Sequence, residues 1–129
     1  MAQVKIYGLR KHLQPLRAQL SDVIHSCVVE ALRFPPDKRA HRFFHMEPED
    51  FFYPASTTER YTIIEISMME GRTVEAKKRL IRLLFERICS QLDRQSNEIE
   101  ISIIDSARHN WGFRGMPGDE IGLNYRIEV

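Results

Sequence analysis

Only two cysteines occur among the 129 residues, Cys27 and Cys89, and neither stands at a short spacing from a second cysteine or a histidine that suits zinc. Both fall on the apolar side of a helical pattern, so both are read as buried, reduced thiols. An excess of one charge is also missing, because 19 Lys and Arg face 18 Asp and Glu and leave a net charge of +1. A near-neutral chain has no global field to hold nucleic acid or an acidic membrane, and any recognition of an anion must be local. There is no stretch of eighteen consecutive apolar residues, and no basic segment followed by an apolar run of signal length opens the chain. Neither membrane spanning nor export is therefore expected, and the cytoplasm is the expected compartment. What is present is apolar material, 43% of the residues, enough for one core built from a few helices and a sheet. A single domain over residues 1–129 follows from the length.

Polar and apolar residues alternate over residues 3–7, the period of a strand with one buried face. Leu13, Leu16, Leu20, Val23, Ile24, Cys27, Val28, Ala31 and Leu32 then recur at steps of three and four, which predicts a helix with Pro15 in its first turn. Pro35-Pro36-Asp37 stops it. The aromatic-rich residues 41–46 read as a second strand, and residues 47–59, with two prolines, as an irregular crossing loop. Residues 61–68 are dominated by β-branched side chains and form the clearest strand of the chain, with Ile63-Ile64 suggesting burial on both faces at its start. Thr73 is the expected N-cap of a second helix over residues 74–93, with Glu75 in the first turn, where the helix dipole favours an acid. Ile99, Ile101 and Ile103 alternate with polar residues in a fourth strand. A tail bearing glycines and a proline follows over residues 107–121, and residues 123–129 offer a short closing strand.

Superposing the chain on itself at an offset of 60 residues pairs Val4 with Ile64, Ile6 with Ile66, Leu20 with Leu80, Val23 with Leu83, Ile24 with Leu84, Val28 with Ile88, Leu32 with Leu92 and Phe43 with Ile103. The repeat is of a packing plan, strand then long helix then strand, with halves of about 1–59 and 60–129. Two right-handed β-α-β units in tandem predict an α/β fold with a four-stranded mixed sheet and two helices on one face. A ferredoxin-like arrangement satisfies the same pattern.

The segment from Glu70 through Gly71, Arg72 and Thr73 to Lys78, directly after an isoleucine-rich strand, resembles the turn and helix start of 4-oxalocrotonate tautomerase and its superfamily. The stretch from Glu98 to Gly115 resembles that family's second strand running into an aromatic-Gly-x-x-Gly turn. The malonate semialdehyde decarboxylase branch, also built of two halves, is similar in whole layout, including a Trp-x-Phe where this chain has Trp111 and Phe113. The resemblance covers nearly the full chain and implies a tautomerase-like fold that assembles as a homotrimer.

In that family the initiator methionine is removed, and the exposed N-terminal proline amine acts as base or acid on the floor of a pocket. Here the corresponding residue is Ala2. An alanine α-amine, with an ordinary pKa of about 7.7–8.0, still permits base chemistry near neutrality, and a primary amine also permits a Schiff base. The family grips its substrate carboxylate with arginine, whose fork matches a carboxylate and keeps its charge, and Arg72 stands at that place. The decarboxylase branch has a further arginine two positions earlier, where this chain has Glu70, so decarboxylation is not expected. That branch's helix-end aspartate aligns with Lys38, with Asp37 one residue early. At the second-strand arginine of the single-unit enzyme the second half has Glu100, while the first half offers Arg39 and Arg42. Trp111 and Phe113 are expected as an apolar wall with Arg114 beside it, a combination suited to a small planar acid.

The resemblance thus implies proton transfer on a small carbonyl or enol carboxylic acid, with Ala2 as catalytic residue and Arg72, Trp111, Phe113, Arg114 and Arg39 binding substrate. It implies a small-molecule carboxylate as partner, no nucleic acid, no membrane, and neither metal nor cofactor. The other reading is a trimer that binds small acids without turnover, the missing proline recording lost catalysis. His12, His25, His41, His45 and His109 have neither metal spacing nor a paired nucleophile and are expected to be structural. Phe43, Phe44, Phe51, Phe52 and Tyr53 are expected in the core or an interface, since no dense basic groove accompanies them as base stacking would need.

Overall fold

The computed structural model describes residues 2–123 and 125–129. Strands β1 (Ala2–Leu9), β2 (His41–Met46), β3 (Thr62–Met69) and β4 (Ile99–Ser106) form one mixed sheet in the order β2-β1-β3-β4. β1 runs parallel to β2 and β3 parallel to β4, while the central pair β1 and β3 is antiparallel. Each parallel pair is adjacent and joined through a helix, α2 (Arg17–Leu32) in the first half and α3 (Val74–Leu92) in the second. A ferredoxin-like sheet would place another strand between the two members of each unit, so the strand order decides between the two plans the sequence allows.

The repeat extends to the hydrogen-bond register. Val4 lies opposite His41 and Ile64 opposite Ile101, Tyr7 opposite Phe44 and Ser67 opposite Ile104, each second pair being the first displaced by 60 residues. The helices end in step as well. Arg33 and Asp93 both take left-handed conformations, at φ 50° and 53°, and their N–H groups donate to the carbonyls of Val29 and Cys89. Thr73 caps α3 by accepting from the Ala76 N–H at 3.1 Å. Val4, Ile6, Ile64 and Ile66 face both helices and close the core with Leu20, Ile24, Leu80, Leu84 and Ile88. The opposite sheet face carries Tyr7 stacked on Phe44 at 4.8 Å and Ile104, which is 57% exposed.

Three expectations need correction. The first helix is not continuous: α1 (Arg10–Leu13) passes through a 3-10 turn, Gln14–Leu16, before α2, because Pro15 has no N–H to donate to the preceding turn. Cys27 is buried, but Cys89 is only half-buried, on the flank of α3 rather than its inner stripe. The closing strand expected over 123–129 includes Asn124, which lies outside the described residues; the described residues around it form bends, held by the Thr73 N–H donating to the Val129 carbonyl at 3.0 Å. Of the aromatic cluster, Phe51 is buried against Leu9 and Tyr61, while Phe52 is exposed on the single chain, where an interface would have to cover it. Within the tail, β5 (Gly112–Phe113) and β6 (Met116–Pro117) pair as a hairpin whose two turn residues, Arg114 and Gly115, both have positive φ, at 56° and 77°. That turn matches the twist of its strands and projects Arg114 from a fixed position. Among the described residues no helix is long and apolar enough to cross a membrane.

Candidate functional site

Topology gathers distant segments at one end of the sheet. β1 and β2 begin there and β3 and β4 end there, so Ala2, the loop before β2, the turn after β3 and the tail after β4 converge. Ala2, opposite Met68 in the sheet, lies at the wall of a cavity of about 380 Å³ lined also by Phe34, Asp37, Lys38, Arg39, Ala40, Phe113 and Arg114. Three cations and one carboxylate thus surround an apolar floor, a composition that draws a small anion and holds its carbon skeleton away from water. Among the described residues no group of three His, Cys, Asp or Glu side chains is placed to hold a metal.

Four of the six residues singled out from the sequence, Ala2, Arg39, Phe113 and Arg114, line this one cavity. Ala2 is 6% exposed, so an amine on this residue would sit at the edge of a largely apolar surrounding. Arg39 is oriented by Asp22, 2.7 Å from its guanidinium, and by a 3.4 Å hydrogen bond to the Ser21 hydroxyl. Arg114 lies with its guanidinium carbon 5.7 Å from the centre of the Phe113 ring. Trp111 and Arg72 are placed differently. Trp111 lines a neighbouring, open depression that shares Phe113, and its indole donates to the Ser106 hydroxyl at 3.1 Å. Arg72 is 5% exposed and does not line the cavity; its Nη1 donates to the Met69 carbonyl at 3.3 Å, while Nε and Nη2 have no hydrogen-bond partner. Burial pulls its pKa below the ordinary arginine value, against the opposing effects of Tyr125 and Glu128.

The surrounding histidines serve the scaffold. His25 Nε2 donates to the Pro36 carbonyl at 2.8 Å and so fixes the loop that carries Asp37 to Arg39. His41 Nδ1 lies 2.8 Å from the Ser21 hydroxyl that also receives Arg39. Burial, then the Arg39 and His25 charges, push His41 down to about 4, so it is neutral near pH 7 and adds no charge to the cavity. Arg42 donates to Gln3 at 3.3 Å, and Glu100 accepts from the Tyr61 hydroxyl at the far end of the sheet. Neither lines the cavity.

A second cavity, about 620 Å³, lies at that far end, lined by Leu9, Arg10, Lys11, Met46, Glu47 and Glu59 among others. Its cations are neutralised in place, Arg10 by Glu47 at 2.8 Å and Lys11 by Glu59 at 3.6 Å. Thr62, the residue that the repeat makes equivalent to Ala2, stands in mid-chain without a free amine and does not line it. Of the two, the smaller cavity has Ala2 at its wall.

The loop that carries Trp111 is packed closely. The Gly118 N–H donates to the Trp111 carbonyl at 2.7 Å, and a Cβ on Gly118 would stand 2.5 Å from the Arg108 carbonyl and 3.1 Å from the Trp111 Cβ. Gly118→Ala is expected to lower stability by about 1–3 kcal/mol. It should also red-shift the emission of Trp111, which is the sole tryptophan and reports the loop directly. Unchanged emission and melting would show that the loop has slack the packing does not suggest.

Comparison with known proteins agrees with this geometry. The family model Tautomerase_2, described as a tautomerase enzyme, matches residues 38–114, more than half of the chain. The chain belongs to the tautomerase family. It is similar to the probable tautomerase YusQ of Bacillus subtilis (strain 168), at 27% identity over 100 residues that span 74% of this chain and 79% of YusQ. It is also similar to the 2-hydroxymuconate tautomerase of Comamonas testosteroni, at 31% identity over 58 residues, 45% of this chain and 92% of that one. A fused 4-OT solved as an asymmetric trimer superposes with a TM-score of 0.81 at 21% identity, covering 94% of this chain and 99% of the other. Malonate semialdehyde decarboxylase gives a TM-score of 0.79 at 15% identity, covering 88% and 92%. At these identities the structural likeness is one of fold. Phe34, Lys38 and Ala40 also line the cavity; Lys38 stood out in the sequence, whereas Phe34 and Ala40 carry no signal there.

Proposed function

We propose that this tautomerase-family chain interconverts the keto and enol forms of a small carboxylic acid in the cavity at the start of β1. The observation that carries the reading is Ala2 at the wall of a cavity ringed by Lys38, Arg39 and Arg114. With Met1 removed, the Ala2 amine takes up the enol hydroxyl proton and returns a proton to the substrate carbon, so the reaction is balanced without a co-reactant. The ordinary pKa of an α-amine, about 7.7–8.0, leaves a usable free-amine fraction near neutrality. Arg39 and Arg114 hold the carboxylate, Phe113 covers the carbon skeleton, and Trp111 stiffens the hairpin from its outer side. Arg72 adds positive potential from behind the wall, where low dielectric gives it a long reach.

The chain is proposed to act as a homotrimer. Support comes from the fused 4-OT trimer that shares its fold and from Phe44 and Ile104 on the sheet face that neither helix covers. The second reading, a trimer that binds small acids without turnover, draws on one observation, alanine where the family carries proline.

One sample tests both. Untagged protein is measured by native mass, where three times the 15.2 kDa chain is expected, and by intact mass, where loss of Met1 is expected. The same sample is then assayed for ketonisation of phenylenolpyruvate or a 2-hydroxydienoate. Turnover is expected, with kcat/KM reduced about 100-fold in Arg114→Ala. A free amine with no turnover across several enol acids would reject the enzyme reading in favour of the binding one.

A further inference from the structure

The sheet face that neither helix covers is divided by charge. Val4, Ile6, Ile64 and Ile66 point to the helices, so alternation sets Lys5 of β1 and Glu65 of β3 on the open side. Arg42 and Phe44 of β2 and Glu100 and Ile104 of β4 share that side and are exposed there; Phe44 stacks on Tyr7, and Glu100 accepts from the Tyr61 hydroxyl. Phe44 and Ile104 stand 60 residues apart and are repeat mates. So are Lys5 and Glu65, which also lie opposite each other in the central antiparallel pair. The repeat thus keeps the apolar residue and reverses the sign of the charge. On this face the strands of the first half bring only cations and those of the second half only carboxylates. Among the described residues none of these charges is in a salt bridge, and the hydrogen bonds of Arg42 and Glu100 go to the uncharged Gln3 and Tyr61. Strands spaced about 4.8 Å apart put the β2 and β4 edges about 14 Å from each other, so Arg42 and Glu100 cannot satisfy one another within a chain.

We infer that the open face docks a second copy of this chain head to tail, the basic half of one copy, with Lys5 and Arg42, lying on the acidic half of the next, with Glu65 and Glu100. This rests on the trimer reading above and names the contact that builds it. Phe44 and Ile104 supply apolar area to both halves alike, so apolar packing by itself lets either half meet its own kind. Charge removes that freedom. Basic on basic, or acidic on acidic, brings like charges together as water leaves, where their repulsion is much stronger than on an open surface. Basic on acidic gives each cation a carboxylate on the neighbouring copy. Such a contact is heterologous: it uses two different patches of every copy and leaves one patch unused at each end until a ring closes. A ring of three uses each half once. The apolar residues hold the copies together, and the sign reversal within the repeat selects which half meets which.

The test reverses signs in the untagged full-length protein and reads assembly by sedimentation velocity over a dilution series. K5E/R42E makes the open face acidic throughout. The concentration at which half the chains have left the trimer should rise about tenfold or more, with the far-UV circular dichroism of the folded chain retained. Adding E65K/E100K reverses every sign and restores complementarity in whatever register the halves meet, so the midpoint should return to within about threefold of wild type. Salt at about 1 M, where screening acts beyond about 3 Å, should move the wild type toward the K5E/R42E value. K5Q/R42Q removes the cations without adding like charges and should abolish most of that salt dependence; a full salt dependence in K5Q/R42Q counts against Lys5 and Arg42. A wild-type trimer whose midpoint moves less than about twofold in K5E/R42E overturns the charge pairing and leaves the trimer reading intact. Weakening in K5E/R42E that the fourfold reversal does not recover overturns the head-to-tail arrangement. A wild type that sediments as a monomer or a dimer rejects the trimer reading and this contact with it.

Discussion

Arg72→Met should make the protein more stable and less active at the same time. The Arg72 guanidinium is 5% exposed, yet only one hydrogen bond, to the Met69 carbonyl at 3.3 Å, compensates its lost hydration. A buried cation with two unpartnered nitrogens is expensive, and exchanging such a group for an apolar side chain of similar length is commonly stabilising, here by about 1–4 kcal/mol. Methionine is flexible, adapts to the space the guanidinium leaves and brings no charge. The residue's cost to folding makes sense if its potential is used. Arg72 follows the end of β3, which reaches the cavity beside Ala2, and on the proposed reading its field favours negative charge on a bound enolate. Loss of that field should reduce kcat for enol ketonisation about 100-fold. Thermal melting and steady-state kinetics on one preparation check both halves. Higher stability with unchanged turnover would show Arg72 to be an unused buried charge, and lower stability would show that the methionine leaves a polar neighbour unsatisfied.

The repeat was legible in the sequence because packing imposes a period. Val4 with Ile64 and Leu20 with Leu80 share an offset that the sheet register and the two helix caps both reproduce. Thr73 was legible because an N-cap is a local device, set by its own side chain and one N–H three residues on. Strand order was not, since alternation states that a strand is half-buried and not which strand lies beside it; the ladder between β1 and β3 settles it. The cavity was legible in part. Arg39, Phe113 and Arg114 stand near motif residues, but their meeting with Ala2 depends on four strand ends converging. Arg72 and Trp111 show the limit. A motif position specifies the backbone turn, whereas the close packing over that turn comes from Ile127, more than fifty residues later, against Gly71.

Glu98→Gln should be the most damaging single isosteric change outside the cavity. Glu98 is 2% exposed and sits at the start of β4, where its two carboxylate oxygens take four hydrogen bonds. Oε1 accepts from the Gln95 N–H at 2.8 Å and from Arg60 Nη2 at 3.0 Å; Oε2 accepts from Arg60 Nε at 3.1 Å and from the Thr58 hydroxyl. The Arg60 fork thus ties the crossing loop to the second half and fixes where β3 and β4 begin. Burial alone would raise the Glu98 pKa, but the Gln95 N–H, the Thr58 hydroxyl and the Arg60 charge outweigh it and bring it from 4.5 down to about 2. That gap corresponds to about 3 kcal/mol of folding free energy carried by the ionised form. Glutamine can accept at one oxygen only and turns an NH2 toward Arg60 or Thr58, so a loss of about 3 kcal/mol is expected in urea unfolding at pH 7. The sign with pH follows from the lowered value. The contribution is complete above about pH 4.5 and fades as pH falls toward 2, because the unfolded chain takes up the proton first. The difference between wild type and Glu98→Gln should therefore shrink between pH 4.5 and pH 2 and stay constant from pH 5 to 8. A difference that persists undiminished at low pH would assign the effect to the shape of the side chain and not to its charge.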